Sequence, residues 1–327
     1  MGSASNGAGD DDGEVWISLL KREEGPSPPD TYKSYRIPIT EAFTVVGVHA
    51  IPTTGIHHMK LKIRRRGGGG GGGGGGDREF FGYDGISTVC PPPPLRFAEL
   101  TAGTENGNGN GNVGETLGPG DEWVLEIHNR EPMEGGEEVG FKVLTVPRPL
   151  PGQRTLVNDS VGVVGFTLPP GRERITVGGA GGGGGAAGGE ALNFAVPGDD
   201  CALLAIHGHF HRRGVEQAFF LNGEEVGRWS AEQARGECPA PPAYRRDAAV
   251  VLLGGRAAGR GDVVSTACTY DTSNNAEAVV EGLKAEDEMC TAFLMYRCGA
   301  TKSAATARHE RPREGDAART RTEALAR

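Results

Sequence analysis

The chain lacks any apolar run of about 18 residues, the length a helix needs to cross a membrane, so no membrane-spanning helix is expected. It also lacks a leader pattern. Residues 1–13 are mostly Gly, Ser and Asp with no basic or apolar region, so neither a signal peptide nor an anchor is expected in the chain as written. Cysteine is scarce, 6 in 327 residues, and no C-x-x-C spacing occurs, which excludes a small disulfide scaffold, a zinc ribbon and a thioredoxin-type site. Positive charge is in deficit. The formal net charge is -9 even with a basic tail over 299–327, so the body is more acidic still and nucleic acid is not an expected partner. Helical periodicity is scarcely visible anywhere. Neither glycine run is followed by Lys-Ser/Thr and a helix, so a phosphate-binding loop is excluded.

Glycine and proline, by contrast, are abundant at 55 and 21 residues, and much of the glycine sits in inserts. The unbroken run Gly67–Gly76, the Asn/Gly alternation over Asn106–Asn112 and the Gly/Ala stretch 178–189 cannot bury apolar surface and read as flexible loops between strands. Short β-branched segments bounded by Pro or Gly fill the remainder: 35–39, 43–46, 123–127 and 141–146, then 161–168, 174–177, 202–211, 218–221, 250–253 and 263–270. Domains average about 100 to 200 residues, so the length suggests two of them. The expected fold is all-β: two tandem β-sandwiches, jelly-roll-like, over 14–150 and 151–298. The Pro-rich joint Val146–Gly152 marks the boundary, and 1–13 and 299–327 are expected to be disordered.

Five of the eight histidines fall in two clusters, His57-His58-Met59 and His207-Gly208-His209-Phe210-His211. Residues two apart on a strand share a face, so His209 and His211 can reach one metal ion, with His207 on the same face. Adjacent His57 and His58 cannot share a face, so binding one ion there requires a strand end or a bulge. A dizinc H-x-H-x-D-H pattern fails because Arg213 stands where the Asp would be. A cupin-like mononuclear site would use the H-x-H with Glu216, but no suitable later His follows except His309 in the tail.

The order of motifs is more specific. His57-His58-Met59, Leu125-Glu126-Ile127-His128, His209-Phe210-His211-Arg212-Arg213-Gly214, Cys268-Thr269-Tyr270-Asp271 and Asp287-Glu288-Met289-Cys290 together resemble the copper type II, ascorbate-dependent monooxygenases, the family of peptidylglycine α-hydroxylating monooxygenase and dopamine β-hydroxylase. Asp30-Thr31-Tyr32, Val146–Leu150 and Pro169-Pro170-Gly171 agree in order, so the resemblance spans roughly 30–298. It implies a two-copper enzyme with one copper in each sandwich, facing across a cleft. His57, His58 and His128 would hold the electron-transfer copper, and His209, His211 and Met289 the oxygen-binding one. The thioether favours Cu(I), and imidazoles suit a copper that cycles between two oxidation states. Ascorbate would be the reductant and O2 the co-substrate. Taken alone, Met289 would read as a core methionine and His128 as a strand-end histidine.

Departures from the family pattern bear on the substrate. The Arg that anchors a peptidylglycine carboxylate is replaced by His207, and the Asn and Tyr after Met-Cys are replaced by Thr291 and Phe293. A bidentate guanidinium is therefore absent, whereas Tyr32 is kept. The expected substrate-side residues are His207 and Tyr32, with His207 able to attract a carboxylate only when protonated. In an alternative, His207-Gly208-His209 is the working H-x-H and His207 replaces His211 as ligand. By resemblance Cys268 and Cys290 form a disulfide and the protein belongs to the secretory pathway or extracellular space; position suggests Cys201 and Cys298 as a further pair. Cys90 and Cys238 have no obvious partners. The expected protein is a monomer acting on a small molecule or peptide, nominally peptidylglycine. The alternatives are a monooxygenase with another small substrate and a catalytically silent copper-binding protein of the same fold.

Overall fold

The computed structural model describes residues 13–22, 26–51, 56–66, 77–84, 94–101, 112–129, 132–133, 135–136, 138–180, 187–230, 250–284 and 286–299. The polyglycine run, most of the Asn/Gly and Gly/Ala inserts, the terminal segments, Cys90, Cys238 and His309 lie outside these residues, as does the side chain of His57.

The first half supplies β1 (Val15–Arg22), β2 (Thr31–Pro38), β3 (Phe43–Ile51), β4 (Ile56–Arg64), β5 (Arg78–Asp84), β6 (Leu95–Arg96), β7 (Val113–Leu117), β8 (Glu122–Asn129), β9 (Glu138–Val146) and β10 (Arg154–Thr155). They form a six-stranded sheet, β1-β9-β3-β7-β10 with β6 on β3, and a four-stranded sheet, β2-β8-β4-β5. Trp123, Leu61 and Ile63 from the smaller sheet meet Phe141, Val143 and Val45 from the larger one in one buried cluster. Period-two alternation explains this. In β2 every second side chain turns outward, while the central strands bury nearly every position.

The second half supplies β11 (Val157–Val164), β12 (Thr167–Leu168), β13 (Ile175–Gly178), β14 (Glu190–Leu192), β15 (Phe194–Ala195), β16 (Cys201–His209), β17 (Gly214–Leu221), β18 (Glu224–Ser230), β19 (Val250–Ala258), β20 (Val263–Tyr270), β21 (Val279–Val280) and β22 (Cys290–Cys298). One sheet runs β14-β11-β22-β16-β19, and another runs β13-β20-β17-β18 with β15 on β20. A short pair, β12-β21, completes the set. Phe219 and Val264 from one large sheet pack on Ile206, Leu294 and Val161 from the other.

The all-β expectation is met. Three details differ from the sequence reading. The segment 161–168 is not one strand, because Gly165 at φ 69° breaks it between β11 and β12. The chain also leaves the first set of sheets slightly late: Arg154 pairs in parallel with Val113, beyond the Pro-rich joint. Finally, β16 ends at His209, so His211 lies beyond the strand.

The placement of the site follows from β16 and β22, which are buried on both faces. One face lies in the second-half core through Ile206 and Leu294. The other carries Ala205 and Met295, which are paired across the strands and packed into the first-half core. The two sets of sheets therefore meet along this second face, and β16 carries His207 and His209 on it.

Candidate metal centre

On the first-half side, β4 begins with a bulge. Ile56 pairs with Asn129 but His58 pairs with His128, so the extra residue at this strand end is His57. This is the irregularity that two adjacent histidines need if both are to face one ion. The His58 and His128 ring centroids are 4.8 Å apart. Tyr32, opposite His128 on β2, stacks on it at 4.0 Å with an interplanar angle of 8°. Asp30 Oδ1 lies 3.5 Å from His128 Nε2. Burial lowers the His128 pKa, with the Asp30 carboxylate pulling the other way. With Nε2 facing Asp30, Nδ1 is the nitrogen this ring can offer a metal.

On the second-half side, the His209 and His211 ring centroids are 5.1 Å apart and steeply inclined at 76°. His211 Nδ1–H donates to the Asp287 carbonyl at 2.9 Å; a carbonyl only accepts, so the tautomer is fixed and Nε2 is the nitrogen this ring can offer a metal. Glu288, fully buried, accepts the backbone N–H of His211 at 2.9 Å and of Arg213 at 2.7 Å. These bonds take the backbone out of the sheet ladder, which is why the strand stops at His209. Tyr270 Oη–H donates to the Met289 carbonyl at 2.6 Å. Burial first, then the nearby Glu288 and Glu281 charges, hold that phenol well above its ordinary pKa, so it stays a donor. The disulfides Cys268–Cys290 and Cys201–Cys298 are both formed, the former beside Met289.

Two glycines shape this half. A Cβ on Gly208 would meet Gln217 Oε1 at 2.2 Å, and Gln217 Nε2–H donates to Thr291 O and Thr266 Oγ1, both at 3.1 Å. A Cβ on Gly214 would meet the Phe210 ring at 2.0 Å, so this ring packs directly on the glycine backbone.

The halves face each other. The His58 and His209 ring centroids are 6.3 Å apart, across a pocket of about 280 Å³. Tyr32, His58, Lys60, Glu79 and Glu126 line one wall, and Ser160, His209, Leu283, Met289, Thr291 and Phe293 the other. The volume suits a small ligand or one end of a larger one. Lys60 Nζ is 3.4 Å from Glu79 and 5.2 Å from the Phe293 ring centroid.

The structure thus brings together His58, His128, Tyr32, His209, His211 and Met289. It does not bring His207 into the pocket. Strand alternation does give His207 the same face as His209, but that face is covered by the first-half sheets at this level. His207 is 1% exposed and lies 6.2 Å from the Phe293 ring. Burial pushes its pKa down to about 4, against a smaller upward pull from the Gly82 backbone. It is therefore neutral at physiological pH, and it does not line the pocket, whereas the sequence reading puts it on the substrate's side of the metal. Sequence reasoning quoted Glu288 only as part of a motif and missed Lys60 and Gln217. An acidic residue directly before Met289 was the available signal for Glu288; the other two have none without the fold.

Among the described residues, no three His, Cys, Asp or Glu side chains converge as a metal site. The donor set accounts for this, since one half counts two imidazoles and a thioether, and the other requires His57. Two imidazoles and a thioether fit copper better than zinc or magnesium.

Residues 201–311 match the family model described as the copper type II ascorbate-dependent monooxygenase C-terminal domain. That match assigns residues 201–311 to this family's C-terminal domain. No curated protein matches the chain. Among solved structures it is similar to PNGF-II in space group P21, at 10% identity and a TM-score of 0.31, over 88% of this chain and 66% of that one. The chain thus spans slightly less than two thirds of that structure, and the likeness is too slight to bear on fold or function.

Proposed function

We propose that the protein is a two-copper, ascorbate-dependent monooxygenase that hydroxylates a substrate C–H bond with O2, nominally at the α-carbon of a peptidylglycine. The observation that carries this reading is the meeting of two imidazole clusters, one with a methionine, across a single pocket. Residues 14–150 form the unit that holds one copper through His57, His58 and His128, and 151–298 form the unit that holds the other through His209, His211 and Met289. Copper, when bound and reduced by ascorbate, supplies the O2 activation that side chains alone lack. The protein's part is to hold the imidazoles in fixed tautomers, to seat the substrate and to keep water from the reacting carbon. Tyr32 and Phe293 offer aromatic faces to the substrate, and Thr291 and Ser160 offer hydroxyls. Because His207 is buried and neutral, Lys60, paired with Glu79, is the cation among the described lining residues that could anchor a carboxylate in this pocket. The described disulfides fit an oxidising compartment, in keeping with a secreted or lumenal monomer. None of the described helices is long and apolar enough to cross a membrane.

The replacement of the family's Arg, Asn and Tyr by His207, Thr291 and Phe293 favours a second reading, a copper-binding protein that no longer turns over substrate. Oxygen uptake by the copper-loaded chain with ascorbate separates the two. A monooxygenase consumes O2 in proportion to hydroxylated product across a panel of glycine-extended peptides and small aromatic amines. Uptake that no panel member stimulates would establish the silent protein instead.

A further inference from the structure

We propose that Glu288 is a positioning residue that clamps the turn after β16 to the entry of β22, and so fixes Met289 relative to His209 and His211. The inference rests on the reading of these three residues as copper ligands. Its basis is a closed set of bonds around one buried carboxylate. Glu288 is 0% exposed, and its two oxygens accept the His211 and Arg213 amide hydrogens separately, at 2.9 and 2.7 Å. The Arg213 guanidinium stands 3.6 Å from the same carboxylate and also donates to the Glu286 carbonyl at 2.9 Å.

A buried carboxylate is costly unless charge and hydrogen bonds compensate it, and bonds from N–H groups to an ionised acceptor are stronger than neutral ones. The two amide donors and the guanidinium described here belong to the His211–Arg213 turn, while the carboxylate belongs to the residue before Met289. Sliding either segment would break both amide bonds at once. The flanking residues repeat the link, since Asp287 O receives His211 Nδ1–H and Met289 O receives the Tyr270 hydroxyl. The thioether thus comes from a short segment whose backbone is bridged to 280–282, with Glu288 N–H donating to Val280 O and Gly282 N–H to Glu288 O, both at 3.0 Å; the Glu288 side chain is what ties that segment to the imidazoles.

The test uses the full chain and the variant Glu288→Gln, which keeps the shape but offers one acceptor and one NH2 in place of two acceptors. In the apo wild type, the His211 and Arg213 amides should exchange slowly with deuterium, and in Glu288→Gln exchange should accelerate. With Cu(I), X-ray absorption of the wild type should show sulfur scattering from Met289. The variant should lose that signal and bind the second Cu(I) about 10- to 100-fold more weakly in chelator competition. Retention of the sulfur signal and of the affinity in Glu288→Gln would overturn the proposal. If the variant does not fold, rapid exchange of the two wild-type amides overturns it equally. A wild type that binds Cu(I) without sulfur contradicts the ligand reading instead; slow exchange that Glu288→Gln accelerates then still upholds the clamp.

Discussion

Gly208 separates His207 from His209, and the space its side chain would take is filled by the Gln217 amide at 2.2 Å from the Cβ position. Gly208→Ala should push that amide off Thr291 O and Thr266 Oγ1, costing about 1–3 kcal/mol in urea unfolding. His207 makes a second test at this scale. Its pKa is 6.5 unfolded and about 4 folded, so at pH below 6.5 the unfolded chain takes up the proton first. The stabilisation is complete above pH 6.5, falls as pH drops toward 4, and below that the loss levels off. His207→Leu in the apo chain should therefore flatten the stability profile, and the wild type should lose about 2–3 kcal/mol more than the variant between pH 7 and 4.5. Identical profiles would contradict a buried, neutral His207. Lys60→Met should raise KM for carboxylate-bearing substrates about tenfold or more, the worth of a charged hydrogen bond, while leaving kcat and amine substrates little changed.

At the scale of elements, the disulfides hold strand ends together. Cys201–Cys298 joins the start of β16 to the end of β22 across a sequence separation of 97. Replacing both residues with Ser should cost about 2–5 kcal/mol, read from thermal unfolding, and peptide mapping without reduction should recover both bridges. Strands with β-branched runs between Gly or Pro signals were legible in the sequence, as β3, β8, β9, β17 and β20 illustrate. β22 was not, because CTAFLMYRC is buried on both faces and shows no alternation. β18 was hidden by its polar composition, EEVGRWS. The bulge that sets His57 beside His58 was legible as a requirement, since adjacent residues on a regular strand face opposite ways. The burial of His207 was not, because it depends on which other sheet covers that face. The ligand pattern is local in sequence, whereas its supports, Glu288, Gln217 and Lys60, act only through contacts between distant strands.

For the whole molecule, the pocket exists because a sheet of the second half turns one face to the first half. Met295 and Ala205 join the first-half core, and a little further along the same strands this contact opens into the pocket. Each half brings part of the proposed ligand set, and residues of both line the pocket. The central claim is that two coppers bind per chain, one in each half. Copper counting on the reconstituted full chain tests it most directly. The wild type should hold two ions, and His58→Ala and His209→Ala should each hold one, with sulfur scattering kept in the former and lost in the latter. A wild type that saturates at one copper, or a single substitution that releases both, would contradict the account.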